Sequence, residues 1–356
     1  MSGMWGNNIR VSIFGESHGN AIGINIDGLP SGFHIDMDKV MVEMARRAPG
    51  KSPLSTPRKE GDIPEILSGY FEGKTTGTPL CAIIRNSNTK SKDYSKLKDV
   101  MRPGHADYTG AMRYDGFNDY RGGGHFSGRI TAPLVFAGAI CKQILESKGI
   151  SIAAHVNSIG SIKDKSFLDV DINEELISSF KGKELPLINS ELEEVMRQEV
   201  MNVRKDMDSI GGTIECAVLG IKPGIGNPFF DSVESTLAHL MFSVPAVKGI
   251  EFGKGFDISK MRGSEANDEY YLDGKTIKTK TNNNGGILGG ITNGMPIVFK
   301  VAIKPTASIF KEQSTVNIAT MEETRLSIEG RHDPCIVQRA LPVIEAVTAI
   351  GILELM

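Results

Sequence analysis

The sequence predicts a single large α/β domain spanning residues 1–356, and three observations support this prediction. The chain has 356 residues, of which 40% are hydrophobic, so it can bury a substantial core without a metal or a disulfide. Segments typical of strands alternate with segments typical of helices along the whole length. A chain of this length could hold two or three domains, but no linker or sharp change of composition divides it.

Four segments have the apolar and β-branched character of strands. Ile9–Phe14 leads into a glycine-bearing turn, and Ala21–Ile26 alternates apolar and small residues before the turn signal Asp27-Gly28-Leu29-Pro30. Ile214–Leu219 and Ile297–Ile303 are the two further strand predictions.

The first predicted helix spans Asp36–Arg47. Asp36 can cap its N-terminus, and Val40, Met44 and Arg47 fall on one side of it. The Pro-Gly pair that follows ends the helix, because proline cannot continue it.

A second helix is predicted over Thr131–Lys148, with Pro133 in its first turn, where the missing N–H costs little. Gly138 and its alanine neighbours leave room for another backbone to approach closely. The polar, proline-punctuated residues Lys51–Gly61 are typical of a surface loop. Three further helices are predicted over Ser190–Met207, Phe230–Met241 and Pro342–Leu355.

Charge and cysteine content exclude several classes of protein. A net charge of -3 argues against a general nucleic-acid or membrane-surface binder. Cys81, Cys141, Cys216 and Cys335 form no C-x-x-C pair and no zinc spacing with histidine, which predicts reduced thiols, no metal and a cytoplasmic protein. The N-terminal residues do not resemble a signal peptide, and no apolar run reaches the ~18 residues of a membrane span.

Five segments draw on glycine, arginine or lysine, and small hydroxyl, imidazole or carboxylate groups in different combinations. Glycine lets backbone N–H groups close on an anion, and arginine offers a planar fork that matches phosphate oxygens. The pattern predicts a site for a multiply anionic ligand. The segments are Gly15–Gly19, Arg102–Thr109, Arg121–Thr131, Lys304–Ser308 and Arg331–Cys335.

Each segment alone is weak, and plainer interpretations compete. Gly122-Gly123-Gly124 fits a tight turn better than a disordered RGG repeat, and Gly285–Gly290 lacks the G-x-G-x-x-G spacing of a dinucleotide fingerprint. Among the histidines, His18 and His105 lie in glycine-bearing loops and are candidates for function. Structural or surface roles are predicted for the others considered, His34, His155 and His239.

The segments together resemble the signatures of the chorismate synthase family. The resemblance is carried, in the family's order, by Phe14–Gly19 (FGESHG), Ile66–Gly69 (ILSG), Thr75–Thr78 (TTGT), Arg102–Thr109 (RPGHADYT), Asp119–Gly124 (DYRGGG), Ala246–Gly249 (AVKG), Gly285–Gly290, Lys304–Thr306 (KPT) and Arg331–Cys335 (RHDPC). It runs from near the N-terminus to the last predicted helix.

The resemblance implies a β-α-β sandwich of the family's own type, assembled as a homotetramer. It also implies an anti-1,4 elimination of phosphate from 5-enolpyruvylshikimate 3-phosphate to give chorismate in the shikimate pathway. Members of the family require reduced FMN although no net redox change occurs, since the flavin lends an electron and recovers it. NADPH would enter only indirectly, for flavin reduction, and an external flavin reductase is the expected source.

Residue roles follow from the resemblance position by position. His18 matches the histidine near the departing phosphate, and His105 matches the one near the flavin. Asp333 matches the carboxylate that assists proton removal, with Ser17 and Ser127 as supporting serines. Substrate-binding arginines are matched by Arg47, Arg102 and Arg129. Flavin contacts are matched by His125, Phe126, Ser127, Ala246, Gly289, Lys304, Pro305, Thr306, Ala307, Ser308 and Arg331.

Several positions depart from the commonest family pattern. His125-Phe126 stands where many members have Arg-Ser, and Ile130 stands where many have Glu. Pro53 and Ala48 replace frequent arginines, and whether Arg58 compensates is open. These changes bear on the detailed phosphate and flavin contacts and leave the expected reaction unaltered.

Two other functions compete with this interpretation. A flavoprotein oxidoreductase would carry out ordinary hydride transfer, although no nicotinamide fingerprint is present. A non-catalytic binder of phosphorylated ligands would need only the glycine and arginine segments, leaving His18, His105 and Asp333 incidental.

Overall fold

Two five-stranded antiparallel sheets enclose a layer of helices. The computed structural model describes residues 3–50, 54–55, 61–86, 97–328 and 332–356. The strands of the first half of the chain are β1 (Met4–Trp5), β2 (Arg10–Gly15), β3 (Ala21–Asp27), β4 (Pro64–Ser68), β5 (Tyr70–Phe71), β6 (Lys74–Thr75), β7 (Leu80–Arg85), β8 (Ser151–Ile159) and β9 (Ile162–Lys163).

The remaining strands include three short hairpins that lie outside the two large sheets. They are β10 (Gly212–Leu219), β11 (Val247–Phe252), β12 (Tyr270–Asp273), β13 (Thr276–Thr279), β14 (Ile287–Leu288), β15 (Ile291–Thr292), β16 (Ile297–Ile303), β17 (Gln313–Asn317) and β18 (Glu322–Leu326). The helices are α1 (Met37–Arg47), α2 (Asp107–Arg113), α3 (Thr131–Glu146), α4 (Glu174–Ser179), α5 (Leu192–Lys205), α6 (Val233–Ser243), α7 (Gly263–Ala266) and α8 (Val337–Glu354).

The first sheet has the order β1-β2-β3-β7-β4, and the second has the order β11-β16-β10-β8-β9. Between them, α3 packs against β3 and β7 of the first sheet, while α8 packs against β8 and β10 of the second. The two helices also pack on each other, with α1 and α6 beside them. This sheet–helix–sheet layering confirms the β-α-β sandwich.

The strand predictions for the sheets are confirmed, with ends displaced by at most two residues. β16 spans Ile297–Ile303 as expected, and β10 begins two residues before the predicted strand. In the first sheet, Gly15 at the end of β2 pairs with Ile22 of β3. The turn of residues 16–20 between these strands therefore projects from the sheet end and carries His18.

Helix α1 follows the sequence prediction closely. The Asp36 carboxylate accepts hydrogen bonds from the backbone N–H groups of Asp38 and Lys39 at 3.0 and 3.1 Å. Val40, Met44 and Arg47 are the buried side chains of the helix. The cap and the single apolar side together explain why the helix starts and lies where it does.

The predicted start of the last helix is wrong. Helix α8 begins at Val337, so Pro342 lies inside it rather than at its first position. Proline removes one backbone hydrogen bond from the helix. Burial of Val337 and Leu341 in the core outweighs that loss and holds the extra turn in place.

The loop expectation for Lys51–Gly61 concerns residues that lie mostly outside the described ranges. Leu54 and Ser55 are described, and both are buried, so at these two positions the surface prediction is wrong. Leu54 belongs to the hydrophobic core, and its carbonyl accepts a hydrogen bond from the Gln338 side chain. None of the helices in the described ranges combines the length and apolar character that crossing a lipid bilayer requires.

Gly138 lies at the closest approach of α3 and α8, as its sequence context indicated. A Cβ atom at this position would lie 2.3 Å from both Cα and Cβ of Ala346. No atom can be added there without separating the two central helices.

Gly138→Ala is therefore expected to lower the free energy of unfolding by about 1–3 kcal/mol, since overpacking outweighs the gain in helix propensity. The urea midpoint measures this loss. Gly263→Ala is the matched control, because no atom lies within 4 Å of its added Cβ. A midpoint of Gly138→Ala equal to that of the parent would contradict the close packing described.

His155 is confirmed as a structural histidine. It is fully buried, with Nε2 2.9 Å from Glu215 Oε2 and Nδ1 3.5 Å from Asp164 Oδ2. Burial alone would lower the pKa of His155, but the two carboxylates outweigh burial and raise it above its ordinary value. The imidazolium thus joins β8 to β10 and to the loop after β9. His239 is exposed, and His34 forms an isolated bridge with Lys74.

His155→Gln is expected to lower the free energy of unfolding by about 3–5 kcal/mol at neutral pH, because it leaves buried carboxylates without their cation. Because the pKa of His155 is raised in the folded state, this difference in unfolding free energy depends on pH. It has its full size below pH about 6.5, the ordinary pKa of histidine, and shrinks as the pH rises through the higher pKa of the folded state. Urea titrations of parent and variant from pH 6 upward test this, and a pH-independent difference would contradict it.

Candidate functional site

The turn that carries His18 is held by hydrogen bonds from a side chain of the same sheet. Asn86, which follows β7, donates its side-chain amide to the carbonyl oxygens of Glu16 and Gly19 at 3.0 and 2.9 Å. Ser17 and His18 are buried. The turn is therefore fixed on both sides of the imidazole.

The glycine turn after Arg121 packs directly on this histidine. Ser17 Oγ donates to the Gly122 carbonyl at 2.9 Å, and the Ser17 N–H donates to the Gly124 carbonyl at 3.1 Å. A Cβ on Gly122 would lie 2.4 Å from His18 Cδ2. The interpretation of Gly122-Gly123-Gly124 as a tight turn is confirmed, since all three residues have positive φ.

The same turn contacts the second candidate histidine. A Cβ on Gly123 would lie 3.1 Å from His105 Nε2. Because adjacent Cα atoms are 3.8 Å apart, His18 Cδ2 and His105 Nε2 are separated by at most about 12 Å. The structure thus brings together two histidines that are far apart in sequence, one against each of two consecutive glycines.

His105 belongs to a buried charge cluster with Arg102 and Asp107. Arg102 donates Nε and Nη2 to the two carboxylate oxygens of Asp107, each at 2.7 Å. His105 Nδ1 lies 2.6 Å from Asp107 Oδ1. Burial alone would raise the pKa of Asp107, but hydrogen bonds from Arg102 and His105 hold it well below its ordinary value. Asp107 is therefore ionised at any working pH.

The Lys304–Ser308 segment closes over this cluster. Lys304 Nζ donates to the Gly104 carbonyl, and Ser308 Oγ lies 3.3 Å from Arg102 Nη1. The Lys304 backbone N–H donates to the Ala246 carbonyl at 2.9 Å. Within the described part of the chain, Thr306 Oγ1 is buried without a hydrogen-bond partner. The segment adds a cation and a hydroxyl to the cluster, and it carries one buried hydroxyl without a hydrogen-bond partner.

Arg47 and Arg129 lie deeper and share one carboxylate. Both guanidinium groups bond to Asp62, with Arg47 Nε 3.1 Å from Asp62 Oδ2, and Arg129 Nη1 on the other oxygen. Arg129 Nε also donates to Asn86 Oδ1 at 2.8 Å. Asn86 connects this group to the His18 turn. Two cations against one carboxylate leave a net positive charge beside that turn.

Asp333 is linked to the same group through Arg339 of α8. Arg339 Nη1 donates to Asp333 Oδ2 at 2.6 Å, and Arg339 Nε donates to the Arg47 carbonyl at 3.2 Å. A continuous series of contacts therefore joins Asp333, Arg47, Arg129, the His18 turn and His105. Arg331, Pro53 and Arg58 lie outside the described residues.

The remaining predicted flavin contacts form two groups, His125–Ser127 and the pair of Gly289 and Ala246. His125 Nδ1 is 2.9 Å from the Gly15 carbonyl oxygen, and Phe126 packs near Tyr114 with ring centroids 6.3 Å apart. Ser127 accepts from the Arg129 N–H and caps the following short turn. A cavity of about 340 Å³ is lined by Glu16, Tyr114, Phe117, Asn118, Asp119, His125 and Phe126.

Gly289 is not brought together with Ala246. Its neighbour Gly290 accepts a hydrogen bond from Val233 at the start of α6, whereas Ala246 follows the end of that helix. Eleven helical residues separate the two ends by about 16 Å.

Sequence reasoning did not select Asp62, Asn86, Asp107 or Arg339 as site residues. Asp107 had a usable signal, since it stands two residues after His105 and opens a helix, where a carboxylate is well placed to meet nearby cations. The other three come from loops or helices distant in sequence, and no local pattern marks them.

Comparison with known proteins places this arrangement in one family. The family model described as "Chorismate synthase" matches residues 9–356. A chorismate synthase of Methanocaldococcus jannaschii is 47% identical over 364 residues, covering 99% of this chain and 95% of the relative. One of Dehalococcoides mccartyi is 44% identical over 355 residues, covering 100% and 96%. A structure titled "Crystal Structure of Chorismate Synthase" superimposes with a TM-score of 0.76 at 30% identity, covering 99% of this chain and 92% of that one.

Proposed function

Since the chain belongs to the chorismate synthase family, we propose that it eliminates phosphate from 5-enolpyruvylshikimate 3-phosphate to give chorismate. It is thus a carbon–oxygen lyase of the shikimate pathway of aromatic amino-acid biosynthesis. The observation that carries the proposal is the glycine turn that holds His18 and His105 against adjacent residues, with Arg102 and Lys304 beside His105 and Arg129 joined to the His18 turn through Asn86. A trianionic substrate class with one phosphate and two carboxylates suits that concentration of positive charge.

The residues present fit reduced FMN as the cofactor. Lys304, Ser308 and the unsatisfied Thr306 hydroxyl offer donors on one loop, and Ala246 with His125, Phe126, Ser127, Gly289 and Arg331 complete the proposed contacts. When bound, the reduced flavin supplies an electron transiently and recovers it, which permits an anti-1,4 elimination without net redox change.

The chain's own residues bind, orient and move protons. The His18 imidazolium donates a proton to the departing phosphate, with Ser17 holding its turn in place. Arg102, Arg129 and Arg47 compensate the negative charge of the phosphate and carboxylates in a buried setting, where such compensation is stronger than in water.

His105 and Asp333 act on the other side of the reaction. His105 presents Nε2 beside Gly123 and manages a proton of the cofactor, while Asp333 assists removal of the ring proton. Ser127 supports these transfers from the turn that positions Arg129. These roles rest on the resemblance and on the contacts described.

Assembly and flavin supply complete the proposal. The chain acts as a cytoplasmic homotetramer and receives reduced flavin from an external, NADPH-dependent reductase. A groove of about 510 Å³ lined by exposed Tyr270, Tyr271, Leu272 and Ile277 supports burial of this hairpin against another subunit. The relatives match over 95–96% of their own length, which leaves little room for an inserted reductase.

An anaerobic assay with stoichiometric reduced FMN tests the proposed function. Phosphate and chorismate should form over many turnovers while the flavin spectrum stays reduced. Oxidation of one flavin for each product would indicate an oxidoreductase, and tight substrate binding without product would indicate a phospho-ligand binder. Either result would contradict the lyase.

A further inference from the structure

The Asp107 carboxylate contacts both Arg102 and His105. It accepts from Arg102 Nε, Nη2 and backbone N at 2.7, 2.7 and 3.1 Å, and His105 Nδ1 lies 2.6 Å from its Oδ1. It is 8% exposed. Among the described residues, every hydrogen bond that it accepts comes from Arg102 or His105.

These contacts determine which nitrogen of His105 carries the fixed proton. An ionised carboxylate only accepts hydrogen bonds, so Nδ1 of His105 must be the donor in the contact at 2.6 Å. Arg102 Nη2 lies 3.0 Å from the same Nδ1, but two donors cannot bond each other. Nη2 donates to Asp107 Oδ1 instead. The second imidazole nitrogen, Nε2, is then the one that Asp107 leaves free to contact a ligand.

Nε2 is also the atom that faces the site. It is the His105 atom nearest to a Cβ built on Gly123, whose neighbour Gly122 contacts His18. The charged groups around the ring are Arg102 from the preceding loop and Lys304, whose ammonium group bonds to the Gly104 carbonyl. Asp107 is the anion that balances them.

We propose that Asp107 is a positioning residue of the reaction. It holds His105 with Nδ1 protonated and Nε2 open toward Gly123, and it holds the Arg102 guanidinium so that Nη1 is directed to Ser308. Asp107 thereby couples the histidine assigned to the cofactor with the arginine assigned to the substrate. This inference rests on the proposed function, because it assigns no reaction of its own.

If Asp107 had only a structural role at the start of α2, its carboxylate would be expected to cap the N–H groups of that helix. Asp107 is the first residue of α2, and the residue before it, Ala106, provides no side-chain cap. The Asp107 carboxylate nevertheless turns to Arg102 and His105 rather than to the free N–H groups of the helix. The carboxylate therefore orients Arg102 and His105 and does not cap the N-terminus of α2.

Asp107→Asn tests the proposal, since the amide keeps the shape but has one acceptor oxygen in place of two, so it cannot satisfy the donors to Oδ1 and those to Oδ2 together. We expect kcat to fall by about 10²-fold or more, as for other histidines that lose the carboxylate fixing their tautomer. Asp107→Glu should recover part of the rate, and Asp257→Asn, an exposed carboxylate paired with Lys260, should match the parent.

A second measurement uses the parent enzyme and does not depend on folding of the variant. Histidine-selective ¹⁵N NMR, with the His105 signal assigned from His105→Gln, should show the proton on Nδ1. A neutral tautomer with the proton on Nε2 would overturn the proposal, as would Asp107→Asn with the parent's kcat. Absence of chorismate formation in the parent would instead contradict the proposed function.

Discussion

Replacing Arg102 with alanine is expected to lower turnover by about 10²–10³-fold at saturating substrate. The change removes a buried cation whose outer edge, Nη1, is directed toward Ser308 and the proposed ligand site. It also leaves the Asp107 carboxylate buried without its cationic guanidinium partner, held only by His105 and the backbone N–H of residue 102 among the described residues. Both effects act on groups that are assigned to the reaction. Steady-state phosphate release with excess reduced flavin measures the loss.

Arg102→Lys separates the charge from the geometry. Lysine keeps the positive charge but cannot bond both oxygens of Asp107 while reaching Ser308. We expect an intermediate rate, closer to the alanine variant than to the parent. Turnover of Arg102→Ala equal to that of the parent would remove Arg102 from the reaction.

Gly122→Ala is expected to lower turnover by about 10²-fold. Its added Cβ would lie 2.4 Å from His18 Cδ2 and 2.5 Å from Ser17 Oγ, so His18 must move. A displacement of about 1 Å at a proton donor is enough for a loss of this size. The left-handed backbone at Gly122, with φ of 61°, adds about 1–2 kcal/mol of strain for any residue with a Cβ.

Gly116→Ala is the matched control for the backbone strain. Gly116 has φ of 76°, but no atom lies within 4 Å of its added Cβ. We expect a similar loss of stability with turnover close to that of the parent. If Gly116→Ala lost as much turnover as Gly122→Ala, the effect would be strain alone, and contact with His18 would not explain it.

Local patterns were sufficient to predict much of the fold. The cap at Asp36 and the apolar side of α1 are properties of about a dozen consecutive residues. The small residues around Gly138 likewise indicated a close contact with another helix. The last helix was predicted to start several residues too late, because proline is typical of a first helical position. The burial of Val337, which extends the helix toward its N-terminus, is visible only in the folded structure.

The candidate site was predicted in part for the same reason. Glycine turns and their histidines can be read locally, and the structure brings His18 and His105 to one turn. The partners of Arg129 and Arg47 could not be read this way. Asp62 binds Arg129, which lies 67 residues away, and Arg339 reaches Arg47 across 292 residues. These residues become neighbours only when the chain is folded.

A crystal structure of the protein with FMN and 5-enolpyruvylshikimate 3-phosphate bound tests the central claim most directly. The flavin should contact His105 and the Lys304–Ser308 loop, with the substrate phosphate within hydrogen-bond distance of His18 and the ring near Asp333. Ligands bound elsewhere, or His18, His105 and Asp333 facing separate cavities in that complex, would contradict the account.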